Sequence, residues 1–308
     1  MTTQAVATKS VTRNPNGALG RVTKAFAFIG SLMRSPGSAF GVVVVVMLLV
    51  FSLWPTEWLP HDPEVGTKGA RFLPPIFLGG DIEFFLGTDR LGRDIFSMLV
   101  AGTRYTMMII VSAAVIGLVI GVTAGLIAGY YRGWADSVIM RLSDIQLAFP
   151  VMVLLIAMTA TIGTSILSLI LILGITAWAP YARIVRGAVL SLREREFIEA
   201  AVAMGLSNVK IIVRHILPNA LTAIIIFLTF ELAGLVLVES ALSFLGFGLQ
   251  PPTPSWGKMV ADSRGALYDA WWASALPGFL IVLAVLAFSL LGDELRDRLD
   301  PRSWGKKA

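Results

Sequence analysis

Long runs of apolar residues alternate with short polar segments along most of the chain. Crossing the hydrocarbon core of a bilayer as an α-helix takes ~20 apolar residues, with a range of roughly 17–25. Lone strands cannot satisfy their backbone in lipid, so each spanning run is expected to be helical. Six runs are predicted to span, and the second and third are long enough to tilt: 38–54, 102–130, 135–161, 166–182, 220–242 and 274–291.

The composition also indicates a membrane protein. Of the 308 residues, 56% are hydrophobic and 15% are charged, whereas a soluble domain has ~45–50% apolar and ~25% charged residues. The net charge is +5, but the basic residues lie between apolar runs, so no nucleic-acid partner is expected. The chain has no cysteine, which excludes disulfides and thiol catalysis.

The distribution of Lys and Arg predicts the orientation, because cytoplasmic flanks are enriched in both. The tail 1–37 carries five basic residues and no acidic one, and the tail 293–308 also carries five basic residues. The loop 55–101 has seven acidic against four basic residues and is predicted outside. We therefore expect an all-α integral membrane protein with one six-helix domain over 38–292, a cytoplasmic loop over 186–219 and both termini in the cytoplasm.

Two short helices are predicted in the cytoplasmic loop. Residues 194–204 are good helix formers, and Gly205 is well placed to end that helix. A second helix over 208–215 would end before Leu217-Pro218. The residues alone leave two interpretations open: a compact knob that fits a groove on a partner, or an amphipathic loop on the membrane surface.

Four stretches resemble a known family, the permeases of bacterial ATP-binding-cassette (ABC) importers. The EAA-like sequence resembles the cytoplasmic loop of these permeases generally, and the other three resemble the dipeptide and oligopeptide (peptide/nickel) subfamily of "C" type. Two positions depart from the usual pattern, His215 and Met98. The stretches are Glu199-Ala200-Ala201 with Gly205 and Leu217-Pro218, and the segments 86–94, 243–257 and 292–301.

This resemblance implies a type I ABC importer permease fold in the bacterial inner membrane. The loop 186–219 would supply a coupling helix that docks in a cleft of an ATPase subunit. The implied partners are a homologous second permease, two ATPase subunits and an extracytoplasmic binding protein that delivers short peptides. Nickel or another small ligand is the alternative cargo. No cofactor is expected on this chain, because ATP and Mg²⁺ would bind to the ATPase subunits.

The motifs that the sequence lacks argue against catalysis. Both Gly-Lys pairs, which begin at Gly257 and Gly305, lack the P-loop pattern. His61 and His215, the only two histidines, are predicted on opposite sides of the membrane. An intramembrane enzyme is therefore not expected. The other rival, an ion-coupled secondary transporter, should show inverted repeats, broken helices and paired charges at the midplane, and the sequence shows no such repeat.

Small residues in the second predicted span indicate close helix packing. Four glycines recur at every fourth position, which places them on one helical face where a neighbouring backbone can approach. They are expected to form a seam against another helix or against the partner permease. These residues are Gly117, Gly121, Gly125 and Gly129.

Charged residues within spans cost roughly 2.5–3.5 kcal/mol at the bilayer centre, so each needs a partner or a function. Arg141 and Asp144 are predicted to pair. Glu231 and Glu239 lie about 80° apart around the fifth span at ~100° per residue; they are expected either to line the pathway or to bond a neighbouring helix. The polar residues of 86–94 are expected either to form a local turn or to contact substrate or receptor.

Single cysteines in this cysteine-free chain test the topology. We predict that Ser10→Cys and Ser207→Cys resist an impermeant thiol reagent in intact cells, whereas Thr67→Cys and Ser263→Cys react. Strong labelling of position 207 from outside would overturn the six-span topology.

Overall fold

A computed structural model describes residues 35–299, and within that range the chain is helical apart from loops and one isolated bridge between Thr88 and Asp94. Parts of the predicted tails 1–37 and 293–308 lie outside the described residues. The α-helices are α1 (Pro36–Leu53), α2 (Ile95–Tyr131), α3 (Gly133–Ala148), α4 (Val151–Ile162), α5 (Ile166–Thr176), α6 (Trp178–Arg193), α7 (Glu196–Ala203), α8 (Asn208–Ile211), α9 (Leu217–Phe244), α10 (Trp256–Ser263) and α11 (Trp272–Leu299).

Five helical stretches in the described chain are long and apolar enough to cross a membrane. They are α1, α2, α5 with α6, α8 with α9, and α11. The bent pair α3 and α4 brings the number to six if it counts as one span. The all-α membrane fold expected from hydropathy is therefore confirmed.

The third predicted span, 135–161, is wrong as a single helix. It consists of α3 and α4, which meet at an angle of 88°. Pro150 separates them: it has no N–H to continue the helix, and its ring forces the preceding residue out of the helical region. Phe149 is accordingly extended, with φ −85° and ψ 136°.

The second cytoplasmic helix was also predicted wrongly, since it does not end before Leu217-Pro218. It continues from α8 through a π-helical turn, Ile212–Ile216, directly into α9. The Leu217 N–H donates to the Ile212 carbonyl in this wider turn. Pro218 lies in the first turn of α9, where a missing N–H costs little.

Helix α2 begins seven residues before its predicted start because Asp94 caps it. One carboxylate oxygen of Asp94 accepts hydrogen bonds from the Ser97 N–H at 2.9 Å and the Ser97 hydroxyl at 2.6 Å. In the preceding turn, Asp89 accepts from the backbone N–H groups of Leu91 and Arg93 and forms an ion pair with Arg93 at 2.7 Å. These contacts agree with the local-turn interpretation of segment 86–94.

The part of the segment between α9 and α11 that surrounds α10 packs into the protein. Trp256, in α10, has no exposed surface, and a Cβ on Gly257 would overlap the Ser240 backbone. Ser263 is only 3% exposed, which makes it a poor reporter for labelling from outside. Tyr268 is fully exposed, so Tyr268→Cys should replace Ser263→Cys in the topology test.

The four glycines of α2 face α5 and α6 of the same chain. A Cβ on Gly117 would lie 2.7 Å from the Ala177 Cβ, and one on Gly125 would lie 2.7 Å from the Ala182 carbonyl oxygen. Near the cytoplasmic end of α2, a Cβ on Gly129 would lie 2.7 Å from the Val189 Cβ. Real Cβ contacts are not this short, so the two helix backbones touch only because these positions lack side chains.

Substitutions at the glycine column should destabilise the subunit itself. Because a large side chain forces close-packed helices apart, we expect Gly121→Leu and Gly125→Leu each to lower the free energy of unfolding by about 1–3 kcal/mol or more. Thermal unfolding of the detergent-purified subunit measures this loss. Gly187→Leu is the control, since a Cβ at Gly187 meets no atom within 4 Å. Equal stability of all three variants would contradict the packing interpretation.

Candidate functional site

Helix α7 forms the centre of the loop 186–219, which the sequence predicts to be cytoplasmic. It begins after Arg195, whose backbone is extended, and ends where Gly205 adopts φ +74°. The Gly205 N–H donates to the Val202 carbonyl, and the Leu206 N–H donates to the Ala201 carbonyl. This left-handed ending favours glycine because other residues meet steric strain there. The predicted helix was two residues longer at its start, where Glu194 instead caps the end of α6.

Opposite faces of α7 meet different surroundings. Ile198 and Ala201 are each 1% exposed and belong to a buried apolar cluster with Ile211 and Ile216. On the outer side, the apolar residues Phe197, Val202 and Met204 are 44%, 56% and 72% exposed. Thus Ala201, which the resemblance places in the docking helix, packs within this chain and not on its exposed surface.

Glu199 and Ala200 remain on the exposed part of α7. Glu199 lines a cavity of about 600 Å³ together with Tyr130, Arg132 and Asn208. Leu217 is half-buried and Pro218 exposed at the start of α9. Next to them His215 is half-buried, and Ile216 takes the fully buried position one residue later.

Side chains at the carboxyl-terminal end of α2 hold α7 and α8 in place. The Tyr130 hydroxyl donates to the Asn208 carboxamide oxygen at 2.9 Å, and the Arg193 guanidinium lies 5.5 Å from the centre of the Tyr130 ring. Arg132 and Glu194 form an ion pair at 2.5 Å. The hydrogen bond and charge of Arg132 lower the pKa of the exposed Glu194 carboxyl.

Ion pairs also join α3 to α6. Arg186 makes two hydrogen bonds to the Asp136 carboxylate, at 2.5 and 2.6 Å. Asp144 pairs with Arg183 at 2.6 Å, so the predicted pair between Arg141 and Asp144 is wrong. Residues three apart on one helix can reach each other, but here Asp144 binds the Arg183 guanidinium of the adjacent helix α6.

The two glutamates of α9 occupy different environments. Glu239 is 1% exposed, and its Oε1 accepts a hydrogen bond from the Ser243 hydroxyl at 2.8 Å. Glu231 is half-buried and lines a cavity of about 250 Å³, which lies where α3 gives way to α4. The sequence treated the two residues alike because their angular separation is small, yet only Glu231 opens onto a cavity.

Much of the chain matches a known protein family. Residues 121–305 match the family described as binding-protein-dependent transport system inner membrane component. The chain belongs to this family. Its members are transport permeases rather than catalysts, and they reside in the inner membrane as multi-pass proteins. Membership of this family implies ATPase and binding-protein partners in general. It also excludes the two rival classes, the intramembrane enzyme and the secondary transporter, although α3 and α4 form a broken helix.

Curated relatives cover most of the permease. It is 38% identical to the di/tripeptide transport system permease protein DppC of Pseudomonas aeruginosa (strain UCBPP-PA14), over 86% of this chain and 88% of that protein. It is 39% identical to the glutathione transport system permease protein GsiD of Escherichia coli O6:K15:H31, over 87% and 86% respectively. These matches confirm the resemblance found in the four sequence stretches.

Solved structures of ABC importers share the fold. A chain of the methionine transporter MetNI in an inward-facing conformation superposes with a TM-score of 0.55 at 23% identity, covering 66% of this permease and 96% of that chain. A chain of an amino acid ABC transporter gives a TM-score of 0.51 at 19% identity, covering 66% and 95%. The type I ABC importer permease fold is thereby confirmed.

Proposed function

We propose that this permease forms half of the passage of a peptide importer and couples it to ATP hydrolysis through α7. A homologous second permease would complete the passage, and two ATPase subunits would bind on the cytoplasmic side. An extracytoplasmic binding protein would deliver the cargo. The amino and carboxyl termini would both lie in the cytoplasm, as the distribution of basic residues favours.

The exposed apolar residues of α7 and its C-cap carry this proposal. An 8-residue helix is too short to be stable alone in water, but here one face is fixed by Ile198 and Ala201 on the buried cluster. The opposite face presents Glu199 and Ala200. On the flanks of the buried face, Phe197, Val202 and the C-cap residue Met204 are exposed, with no covering partner among residues 35–299. A rigidly held helix with exposed apolar residues on both flanks suits a groove on a partner protein.

Motion of the ATPase subunits could then reach the membrane through the contacts of α7. Its buried face packs with α6 and α8, and α8 runs through the π-helical turn into α9. Closure of the ATPases on ATP would draw the coupling helices together and tilt these spans, opening the cavity outward. Hydrolysis would reset it inward. ATP and Mg²⁺ would bind only to the ATPase subunits, with no cofactor on this chain.

Short peptides are the cargo that the relatives favour. The two curated proteins are named for di- and tripeptides and for glutathione, which is itself a small peptide. The same architecture could serve nickel or another small ligand, but neither of the two curated relatives is named for one. Uptake of radiolabelled di- and tripeptides by the reconstituted importer, compared with uptake of nickel, tests the cargo directly.

Substitutions in α7 and its terminal turn test the coupling. We expect Glu199→Lys and Gly205→Val to insert in normal amounts but to support little uptake, with ATP hydrolysis no longer stimulated by loaded receptor. Valine at φ +74° would be strained by about 1–2 kcal/mol, and lysine would reverse the charge on the exposed face.

Gly205→Asn is the matched control, because asparagine tolerates the left-handed conformation and a Cβ at Gly205 meets no atom within 4 Å. It should retain most uptake. If Glu199→Lys and Gly205→Val both transported at the wild-type rate with receptor-stimulated hydrolysis, the surface-loop interpretation would be correct instead.

A further inference from the structure

The break between α3 and α4 creates a cavity in which Glu231 is the only ionisable lining residue among residues 35–299. Its volume is about 250 Å³, enough for a small organic group rather than a whole peptide. Within residues 35–299 no hydrogen bond or ion pair holds the Glu231 side chain, in contrast to the hydrogen-bonded Glu239. Glu231 is therefore available to a ligand in a way that Glu239 is not.

Several features around Glu231 favour a positive charge. Helix α3 ends at the cavity, with Leu147 and Phe149 in its wall, and the end of a helix carries partial negative charge on its carbonyl groups. Pro150 cannot donate a hydrogen bond to any of those carbonyls. A carboxylate and a helix carboxyl terminus thus meet in one cavity that has no basic side chain among its lining residues.

Two polar side chains near Glu231 differ in their hydrogen bonding. The Gln146 side chain donates to the Thr176 carbonyl at 2.6 Å and accepts from the Trp178 indole at 2.6 Å. Tyr181 is fully buried, its hydroxyl has no hydrogen-bond partner in the described chain, and it is close enough to Glu231 to interact electrostatically. The Glu231 carboxylate is therefore the charged group that a ligand in this cavity can bind.

The remaining wall is apolar. It consists of aliphatic side chains from α4, α5 and α9 that surround the carboxylate, namely Val151, Leu154, Leu155, Leu173, Leu235 and Val238. A strongly hydrated inorganic cation would lose its water shell against such a wall at high cost. An ammonium group attached to a small apolar body fits both the carboxylate and the wall.

We propose that this cavity receives the amino-terminal end of a short peptide, with the ammonium group on Glu231 and the first side chain on the aliphatic wall. The proposal rests on the peptide-importer function above and adds a cargo contact within the membrane. Glu239 has no such role, because it is buried and accepts a hydrogen bond from Ser243 one turn along the same helix.

A cysteine beside Glu231 tests the proposal in the assembled importer in lipid nanodiscs. Gly234 lies three residues from Glu231, about 5–6 Å between Cβ positions, and a Cβ there meets no atom within 4 Å. In Gly234→Cys, we expect the ratio of the reaction rates of a trimethylammonium thiosulfonate and its sulfonate analogue to be about tenfold higher than the ratio for a free thiol in solution, because a carboxylate at this distance attracts the cation. The ratio should fall towards that of neutral surroundings on adding Glu231→Gln, but not on adding Glu239→Gln.

Protection from labelling identifies the ligand. Dialanine at saturating concentration should slow the reaction of Gly234→Cys, whereas N-acetyl-dialanine should not, because acetylation removes the ammonium charge. Rates that do not depend on Glu231, or protection by both peptides or by neither, would overturn the proposal. Receptor-stimulated ATP hydrolysis by the same preparation separates this outcome from a failure of the importer function, since coupling would then be intact.

Discussion

The four glycines of α2 allow it to approach α5 and α6 closely, and this contact sets the positions of α2 and α6. Because Gly117, Gly121, Gly125 and Gly129 let the backbones touch, the cytoplasmic ends of α2 and α6 lie side by side. Tyr130 can then reach Asn208, and Arg132 can reach Glu194. The position of α7 is thus a consequence of packing that begins deep in the membrane.

Helix α6, which packs on α2, also positions the cavity at Glu231. Helix α6 carries Arg183 and Arg186, whose ion pairs hold α3 alongside it. Helix α3 then runs to Pro150, where the chain turns by 88°. The cavity with Glu231 therefore lies at the far end of an element that is anchored to α6, the helix that also packs on α7. A movement of α7 has a continuous path of packed groups to the cavity.

Sequence reasoning was most reliable where one physical requirement dominates. Length and hydropathy predict the spans, because lipid leaves the backbone few alternatives to the helix. The positive φ of Gly205 and the column of small residues also followed from residue type and spacing. Pro150 was the available signal for the broken helix, since a proline inside a predicted span removes a hydrogen bond and crowds the preceding residue.

Other features depend on which helices become neighbours, and that information is not local. Asp144 pairs with Arg183 of another helix rather than with Arg141, and Ala201 faces the protein's own cluster instead of a partner. The different environments of Glu231 and Glu239 likewise arise from other helices, because α3 and α4 border the cavity at Glu231 and Thr106 of α2 lies beside Glu239. No spacing along a single helix distinguishes a carboxylate in a cavity from one sealed by neighbouring side chains.

If the exposed side of α7 docks on an ATPase subunit, a cross-linker attached there should capture that subunit. Val202→Cys, carrying a short photoreactive group, should form an adduct with the ATPase in the assembled importer, and Tyr268→Cys should not. Both positions are well exposed, at 56% and 102%, so both should accept the reagent. Efficient modification of Val202→Cys with adducts only to lipid would contradict the account.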